Sequence, residues 1–444
     1  MIAHRKESEI RCTPEPSVPA ATAETPQITV LLPAMNEAEN VSLVVPLLHE
    51  TLRSLGLAYE ILVVDGQSED ETPVRAASLG ARVHVQRELG YGRALTEGFA
   101  LARGRFILTM DCDYSHDPAF IGDLWKSRHR GAIVVASRYA QGGSSEAGAF
   151  RSLLSRILNA TYRRILTLPV RDVSSGFRLY DRRALAEVKV ESHNFDALEE
   201  ILIKAYGLGY GVAEIPFRYR ARASGSSKAR ILKFGWQLLK TLHRLWSLRN
   251  SAAWADYDYR AFDSRVFLQR YWQRTRHRLI LELLSRPFGR VLDIGCGSSR
   301  IPMSIPGCVA LDVQKQKTRF QSSHGVEAVG GSIYALPFRD ASFDQVIFSQ
   351  VIEHIPLKPQ IMGELRRVLK PGGTLVIGTP DYGRMFWVIL EEFYNRISPA
   401  GHCHEHITKF SLRTFRELIE GAGFRCRRAR YVGGGELIIK ATRG

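Results

Sequence analysis

Leu108-Thr-Met-Asp-Cys-Asp-Tyr-Ser-His-Asp-Pro118 decides how the first half of the chain is read. The apolar run from Phe106 to Met110 predicts a buried parallel strand that delivers Asp111 and Asp113 at its carboxyl end. In open α/β sheets that rim is where ligands bind. Side chains two apart in an extended segment share a face, and where the chain turns both carboxylates can converge on one cation. Hard oxygen ligands suit magnesium or manganese, which keep waters and complete their shell with substrate phosphates. Most Asp-x-Asp pairs are solvated surface or helix-cap residues, so the weight of this one comes from its surroundings.

Working outward, Ile28 to Leu32 predicts a short strand ended by Pro33, and Pro33-Ala-Met-Asn-Glu-Ala-Glu-Asn40 opens an amphipathic helix to about Ser54. Tyr59 to Asp65 is the next strand, closed by Asp65-Gly-Gln-Ser-Glu-Asp-Glu-Thr72 with helix-cap chemistry. A strand (Ala81 to Gln86) and a helix (Tyr91 to Ala102) precede the acidic strand, and Ala132 to Ser137 is the strand after it. Such alternation argues for a parallel sheet with a nucleotide crevice on its carboxyl rim. Then come Arg138-Tyr-Ala-Gln-Gly-Gly143 and Arg151-Ser-Leu-Leu-Ser155, whose Arg151 and Ser155 share a helical face. Asp172-Val-Ser-Ser-Gly-Phe-Arg178, Glu214-Ile-Pro-Phe217 and the basic Gly/Ser loop Arg222-Ala-Ser-Gly-Ser-Ser-Lys228 follow.

The second half has its own motif, Arg290-Val-Leu-Asp-Ile-Gly-Cys-Gly-Ser-Ser299. A strand ends at Asp293, and Gly295 and Gly297 let the backbone approach a ligand before a helix begins. Asp312, closing the next strand, is placed to hold ribose hydroxyls. Gly331-Ser-Ile-Tyr-Ala-Leu-Pro-Phe338, Ser342-Phe-Asp-Gln-Val346, Val351-Ile-Glu-His-Ile355 and Leu365-Arg-Arg-Val-Leu-Lys-Pro-Gly-Gly-Thr374 continue the order. His402-Cys-His-Glu-His406 precedes a helix from Ser411 to Gly421 and leaves three readings open: a metal site, a substrate-facing site or loop structure.

Taken together, residues from about 27 to 250 resemble family 2 glycosyltransferases of the GT-A fold, most of all the dolichyl-phosphate (polyprenyl-phosphate) mannosyltransferases. Residues from about 255 to 444 resemble class I S-adenosylmethionine-dependent methyltransferases. The expected fold class is α/β throughout: a GT-A nucleotide-binding domain followed by a Rossmann-like methyltransferase domain. The first resemblance implies that Pro33, Glu37, Asp65, Arg222 and Lys228 hold the donor nucleotide and that Asp111 and Asp113 hold Mg2+ or Mn2+. It also implies that Arg138, Arg151 and Ser155 hold an acceptor lipid phosphate. The family often has a second acid or Asn after the residue matching Asp65, where this chain has Gly66, which leaves GDP-mannose and UDP-glucose both open as donors. The second resemblance implies that Asp293, Gly295, Gly297, Asp312 and Ser332 line an S-adenosylmethionine site. Ser332 stands where these enzymes often carry an adenine-binding acid. Related methyltransferases turn their His segment toward substrate without a metal, so His354, His402 and His406 are expected at the methyl-acceptor site.

The resemblance implies a bifunctional enzyme: inverting sugar transfer, mannose expected, to a polyprenyl phosphate, and methyl transfer to an acceptor the sequence does not identify. The rivals are a UDP-glucose donor or hydroxyl acceptor, with the second domain only binding. A phosphate monoester needs no general base, since its second pKa is about 6.

Bulk properties agree. With 444 residues the chain has room for two α/β cores. A net charge of +16 suggests anionic partners, and of these a membrane surface is preferred to nucleic acid because no recognition-helix, RNA-binding or zinc pattern accompanies it. Six scattered cysteines without Cys-x-x-Cys argue for a reducing cytoplasm. Residues 1–26 are polar and predicted disordered, and no run of 18 apolar residues predicts a membrane span. Arg218 to Asn250 holds nine Lys or Arg and no acid. In it Lys233, Gln237, Lys240 and Arg244 face one way and Ile231, Leu238, Leu242, Leu245 and Trp246 the other, fitting either a membrane-interface helix or one packed on its own domain. The expected boundaries are 27–230, 231–255 for this helix and linker, and 256–444, with the protein peripheral at the inner membrane face.

Overall fold

The computed structural model describes residues 25–146, 148–220, 231–397 and 406–444. Two seven-stranded sheets organise them. The first contains β1 (Ile28–Ala34), β2 (Tyr59–Asp65), β3 (Arg82–Val85), β4 (Phe106–Thr109), β5 (Ile133–Ser137), β6 (Arg178–Asp181) and β7 (Val212–Pro216). Their spatial order is β3-β2-β1-β4-β6-β5-β7. Central strands here are apolar on both faces because helices cover both. Val30 and Leu32 pack into the core on one side and Leu31 into the core on the other. The helix Tyr91–Leu101 lies so close that a Cβ on Gly98 would sit 2.4 Å from Leu31 Cδ1.

Two expectations are corrected in this sheet. β1 continues through Pro33 to Ala34, with Pro33 paired to Val64, since a proline is tolerated near a strand end. The sheet is mixed rather than parallel: β6 runs antiparallel to both β4 and β5. Inserting that strand carries Ser175-Gly-Phe-Arg178 from the rim back into the sheet.

The second sheet contains β8 (Val291–Ile294), β9 (Val309–Asp312), β10 (Glu327–Gly330), β11 (Phe343–Ser349), β12 (Leu369–Pro380), β13 (Phe424–Val432) and β14 (Glu436–Arg443), in the order β10-β9-β8-β11-β12-β14-β13. β8 to β12 pair in parallel, and β14 runs antiparallel to β12. The helix expected after Gly297 is replaced by a short 3-10 turn, Pro302–Ser304. Pro302, Pro306 and Gly307 punctuate the stretch and leave no run in which a helix could propagate.

The basic helix spans Ile231–Arg249 and its second half packs on the first domain. Leu242 and Leu245 are buried in that domain's core. Thr241 Oγ1 donates to Asp196 (2.8 Å), and Arg244 pairs with Glu191 and Glu200. Arg249 is buried and paired in a fork with Asp256. Of the apolar side chains expected to meet lipid, Leu242 and Leu245 are therefore committed to the protein interior. Among the described residues no helix is long and apolar enough to cross a membrane.

The two sheets are joined by more than the chain. Arg319, on the helix Lys315–Ser323, pairs with Glu187 (2.6 Å) and stacks over the Tyr210 ring. Lys317, 4% exposed, donates to Trp254 O (2.9 Å) and lies 3.3 Å from Asp258.

Candidate functional sites

The carboxyl ends of β1, β2 and β4 converge because their register is parallel: Ala34 pairs Asp65, and Leu31 pairs Thr109. Just beyond β4 the Asp111 amide donates to His116 Nδ1 (3.0 Å), and the His116 ring stacks on Phe177. Asp113, 5% exposed, accepts from Ser115 N (3.1 Å) and Ser115 Oγ (2.5 Å) through one oxygen. Tyr91 OH is 3.4 Å from Asp111, and a Cβ on Gly176 would lie 3.6 Å from the same carboxylate oxygen. Burial and the nearby Asp111 charge raise the Tyr91 phenol well above its ordinary range, so it stays a donor. Two carboxylates at a strand end form a hard donor set that fits Mg2+ or Mn2+ with further oxygens from substrate.

Asp65 closes its own turn, accepting from Ser68 N (3.0 Å) and Ser68 Oγ (2.5 Å). Glu37 precedes the helix Ala38–Ser54 and accepts from Asn40 Nδ2 rather than capping the helix. Pro33 lies beside them in β1. Gly66 has a packing reason: a Cβ there would come within 3.1 Å of Met35 Cβ and 3.2 Å of Gln86 Oε1.

Arg138, immediately after β5, donates from Nε and Nη2 to both oxygens of Asp172 (2.8 Å each), and from Nη2 also to Ser174. Burial alone would raise the Asp172 carboxyl; the Arg138 guanidinium overrides it and holds it below the usual range. Asn159, on the helix Ala149–Leu166, binds the Ser174 hydroxyl (2.9 Å), the Val173 amide (2.6 Å) and Ser155 O (2.8 Å). Arg138 and the Ser155 backbone are thus tied into one network. Arg151 lies one turn before Ser155 on that helix. Arg222, Lys228 and His402 lie outside the described residues.

Sequence reasoning missed His116, Tyr91 and Asn159 as supports. Asn159 was legible only as the residue four after Ser155, on the same helical face.

The second sheet's rim encloses a cavity of about 620 Å³ lined by Asp293, Gly295, Gly297, Asp312, Ser332, His354 and His406, among others. Gly295 and Gly297 have positive φ (66° and 52°), which glycine adopts without penalty. Asp312 accepts from Gly297 N (2.9 Å) and Gln314 N (2.8 Å), and burial pushes its carboxyl up. Burial and the neighbouring Asp312 push Asp293 up to about 8. Ser332 Oγ accepts from Tyr334 N (3.3 Å). Around this cavity Asp293 Oδ2, Ser349 Oγ and Gln350 Nε2 are buried without a hydrogen-bond partner among the described residues. Native structures rarely leave such atoms unpaired, so they point to a polar ligand. A ribose-bearing sulfonium cofactor fits this lining.

Two α/β sheets, each with polar groups gathered at a parallel rim, define a two-domain transferase architecture. Residues 29–189 match the family model for glycosyl transferase family 2, and residues 292–377 match that for a methyltransferase domain. Curated relatives include a dolichol-phosphate mannosyltransferase of Pyrococcus furiosus, 33% identical over 49% of this chain and 63% of its own length. Another is a polyprenol monophosphomannose synthase of Mycolicibacterium smegmatis, 32% identical over 47% of this chain and 83% of its own. The chain belongs to glycosyl transferase family 2 and carries a methyltransferase domain in addition. It spans less than two thirds of the Pyrococcus relative.

Among solved structures, a glucosyl-3-phosphoglycerate synthase of Mycobacterium tuberculosis with Mn2+, UDP and product is 22% identical, covering 52% of this chain and 86% of its own (TM-score 0.41). A SAM-dependent methyltransferase of Thermotoga maritima, a possible histamine N-methyltransferase, is 20% identical, covering 42% and 94% (TM-score 0.35).

Proposed function

We propose that the first domain transfers a sugar, mannose as first expectation, from a nucleotide donor to a polyprenyl phosphate, and that the second transfers a methyl group. The domain limits we propose are those expected, near residues 230 and 256. The dolichol-phosphate and polyprenol monophosphate activities of the two curated relatives support the lipid-phosphate acceptor. The observation that carries it in this chain lies on the helix Ala149–Leu166. Its inner face joins Ser155 and Asn159 to the Arg138 network. Its outer face exposes Phe150 (66%), Leu153 (56%), Leu154 (37%) and Ile157 (54%). Apolar residues at that spacing, with Arg156, Arg163 and Arg164 on the same helix, suit a helix lying on an anionic lipid surface. On this reading the helix Ala149–Leu166 makes the membrane contact, which would bring the lipid phosphate beside the rim.

A cation held by Asp111 and Asp113 would supply charge neutralisation at the departing diphosphate. Pro33, Glu37 and Asp65 would hold the nucleotide. Arg138, kept rigid by Asp172, would orient the acceptor phosphate with Arg151, and that phosphate, already an anion, attacks the anomeric carbon with inversion. In the second domain S-adenosylmethionine would supply an electrophilic methyl carbon, with Asp312 placed for ribose hydroxyls and the Gly295–Gly297 backbone for close approach.

The test is nucleotide release by the full chain given polyprenyl phosphate, Mg2+ or Mn2+, and GDP-mannose or UDP-glucose separately. Acceptor-dependent release abolished by EDTA is the expected result and names the donor. Release that requires a hydroxyl acceptor instead would overturn the lipid-phosphate assignment.

A further inference from the structure

Glu353, His354 and His406 each bring one donor atom into a group whose members all lie within 4.8 Å of one another. The residues come from distant parts of the chain. Glu353 and His354 sit in the short turn Ile352–His354 after β11, and His406 lies on the segment leading to the helix Leu412–Gly421. Backbone hydrogen bonds hold the two parts together, from Ile407 N (2.7 Å) and Thr408 N (3.2 Å) to Glu353 O.

The Glu353 side chain has 0% exposure, and among the described residues its carboxylate oxygens make no hydrogen bond of good geometry, with the Thr379 hydroxyl as a neighbour. A buried carboxylate so poorly paired is costly. A cation removes the cost. His406 supplies the second observation. Its Nδ1 is 2.9 Å from Glu391 Oε1 and 2.5 Å from the Tyr382 hydroxyl oxygen, while that hydroxyl itself donates to Glu391 (2.7 Å). Nδ1 is therefore the protonated nitrogen, and Nε2 is left as a lone-pair donor. Carboxylate-to-imidazole pairing of this kind orients histidines that bind metals.

We propose that Glu353, His354 and His406 bind one divalent first-row transition cation at the wall of the second domain's cavity. Two imidazoles and a carboxylate favour zinc, iron, cobalt or manganese over magnesium and calcium. Metal–ligand distances of about 2.0–2.2 Å put donor atoms about 3–4 Å apart, so small side-chain rotations close the present spread. His354 and His406 line the cavity and Glu353 lies behind them, so the remaining coordination positions face the cavity. Water or an oxygen of the methyl acceptor would fill them. Of the three readings left open for the histidine segment, this proposal takes the metal site.

Nitrogen ligation separates this site from the all-oxygen rim at Asp111 and Asp113. The experiment uses the full chain carrying Asp111→Asn and Asp113→Asn, loaded with Mn2+ and dialysed. Bound ion is counted, and directly coordinated imidazole nitrogen is read from electron spin-echo modulation. One ion per chain with imidazole modulation is expected, lost in His406→Ala and in His354→Ala. Glu391→Gln, which leaves all three ligands in place, should retain the ion with affinity weakened about 10–100-fold. No ion in the Asp111→Asn, Asp113→Asn protein, or modulation that survives both histidine variants, would overturn the site. Because the readout is the ion, the outcome does not depend on whether the domain transfers methyl groups.

Discussion

The two rims solve the same problem in opposite ways. At the first, much of the polar chemistry is already satisfied by the protein: Asp113 by Ser115, Asp65 by Ser68, Arg138 by Asp172. At the second, Asp293, Ser349 and Gln350 keep buried polar atoms without partners among the described residues. A pre-paired rim holds its geometry before substrate arrives, as electrostatic catalysis demands. An unpaired one leaves part of its polar complement to be completed by a ligand, and should be the less stable of the two when empty.

The largest effect should come from Asp113→Asn, which keeps shape and removes a charge. Sugar transfer should fall about 10²–10³-fold, in line with loss of one transition-state electrostatic contact, with the fold unchanged by circular dichroism. Activity within about twofold of wild type would show that the first rim does not act through this carboxylate. Next, Asp172→Ala strands the Arg138 guanidinium in a largely buried place. Breaking such a pair typically costs about 3–5 kcal/mol, read as a lowered denaturant midpoint. A negligible change would mean the first rim is not pre-paired in the sense described.

The second rim makes a prediction of opposite sign in pH. With Asp293 pushed up to about 8, the folded state holds a proton that the unfolded chain releases near pH 4. The associated stability is complete below about pH 4 and is lost as pH rises toward 8. The ligand-free protein should therefore melt at lower temperature as pH rises through that window. Asp293→Asn should flatten the slope, and an unchanged slope would place the titration elsewhere. Smaller still, Leu153→Glu should weaken binding to anionic vesicles about tenfold, the order expected for removing one inserted apolar side chain, while transfer to a short, water-soluble acceptor is kept. Smallest is Ser332→Asp, which restores an acid at the expected adenine position. One added hydrogen bond of about 1 kcal/mol should tighten S-adenosylmethionine binding several-fold by titration calorimetry.

Much of this was legible in the sequence. Apolar runs ending in acids placed the ends of β2 and β9, and those of β4 and β8 to within one residue, because a strand buried on both faces has little freedom of composition. The antiparallel β6 was not legible, since Arg178-Leu-Tyr-Asp181 carries charges at both ends and its partners are set by the rest of the sheet. Whether the basic helix Ile231–Arg249 meets lipid or its own domain could not be read from periodicity. It depends on Glu191, Glu200 and Asp256, acids distant in sequence or beyond the helix end, which pair Arg244 and Arg249. The three-residue cluster at Glu353 was half legible: Glu353-His354 and the histidine segment stand out in the sequence, but their approach and the burial of the carboxylate are properties of the fold.

Lys317 carries a consequence for how such a chain could be divided. Its ammonium is shut between the carbonyl of Trp254, on the segment that leaves the first domain, and Asp258 and Ser298 beside the second domain's cavity. Ala252, Tyr257 and Asp258 also form part of that cavity's wall. A gene divided at this seam would leave one product with a desolvated lysine lacking its carbonyl partner and a ligand chamber lacking a side. The second chamber is thus walled in part by the segment that leaves the first domain, and its integrity depends on that segment staying attached.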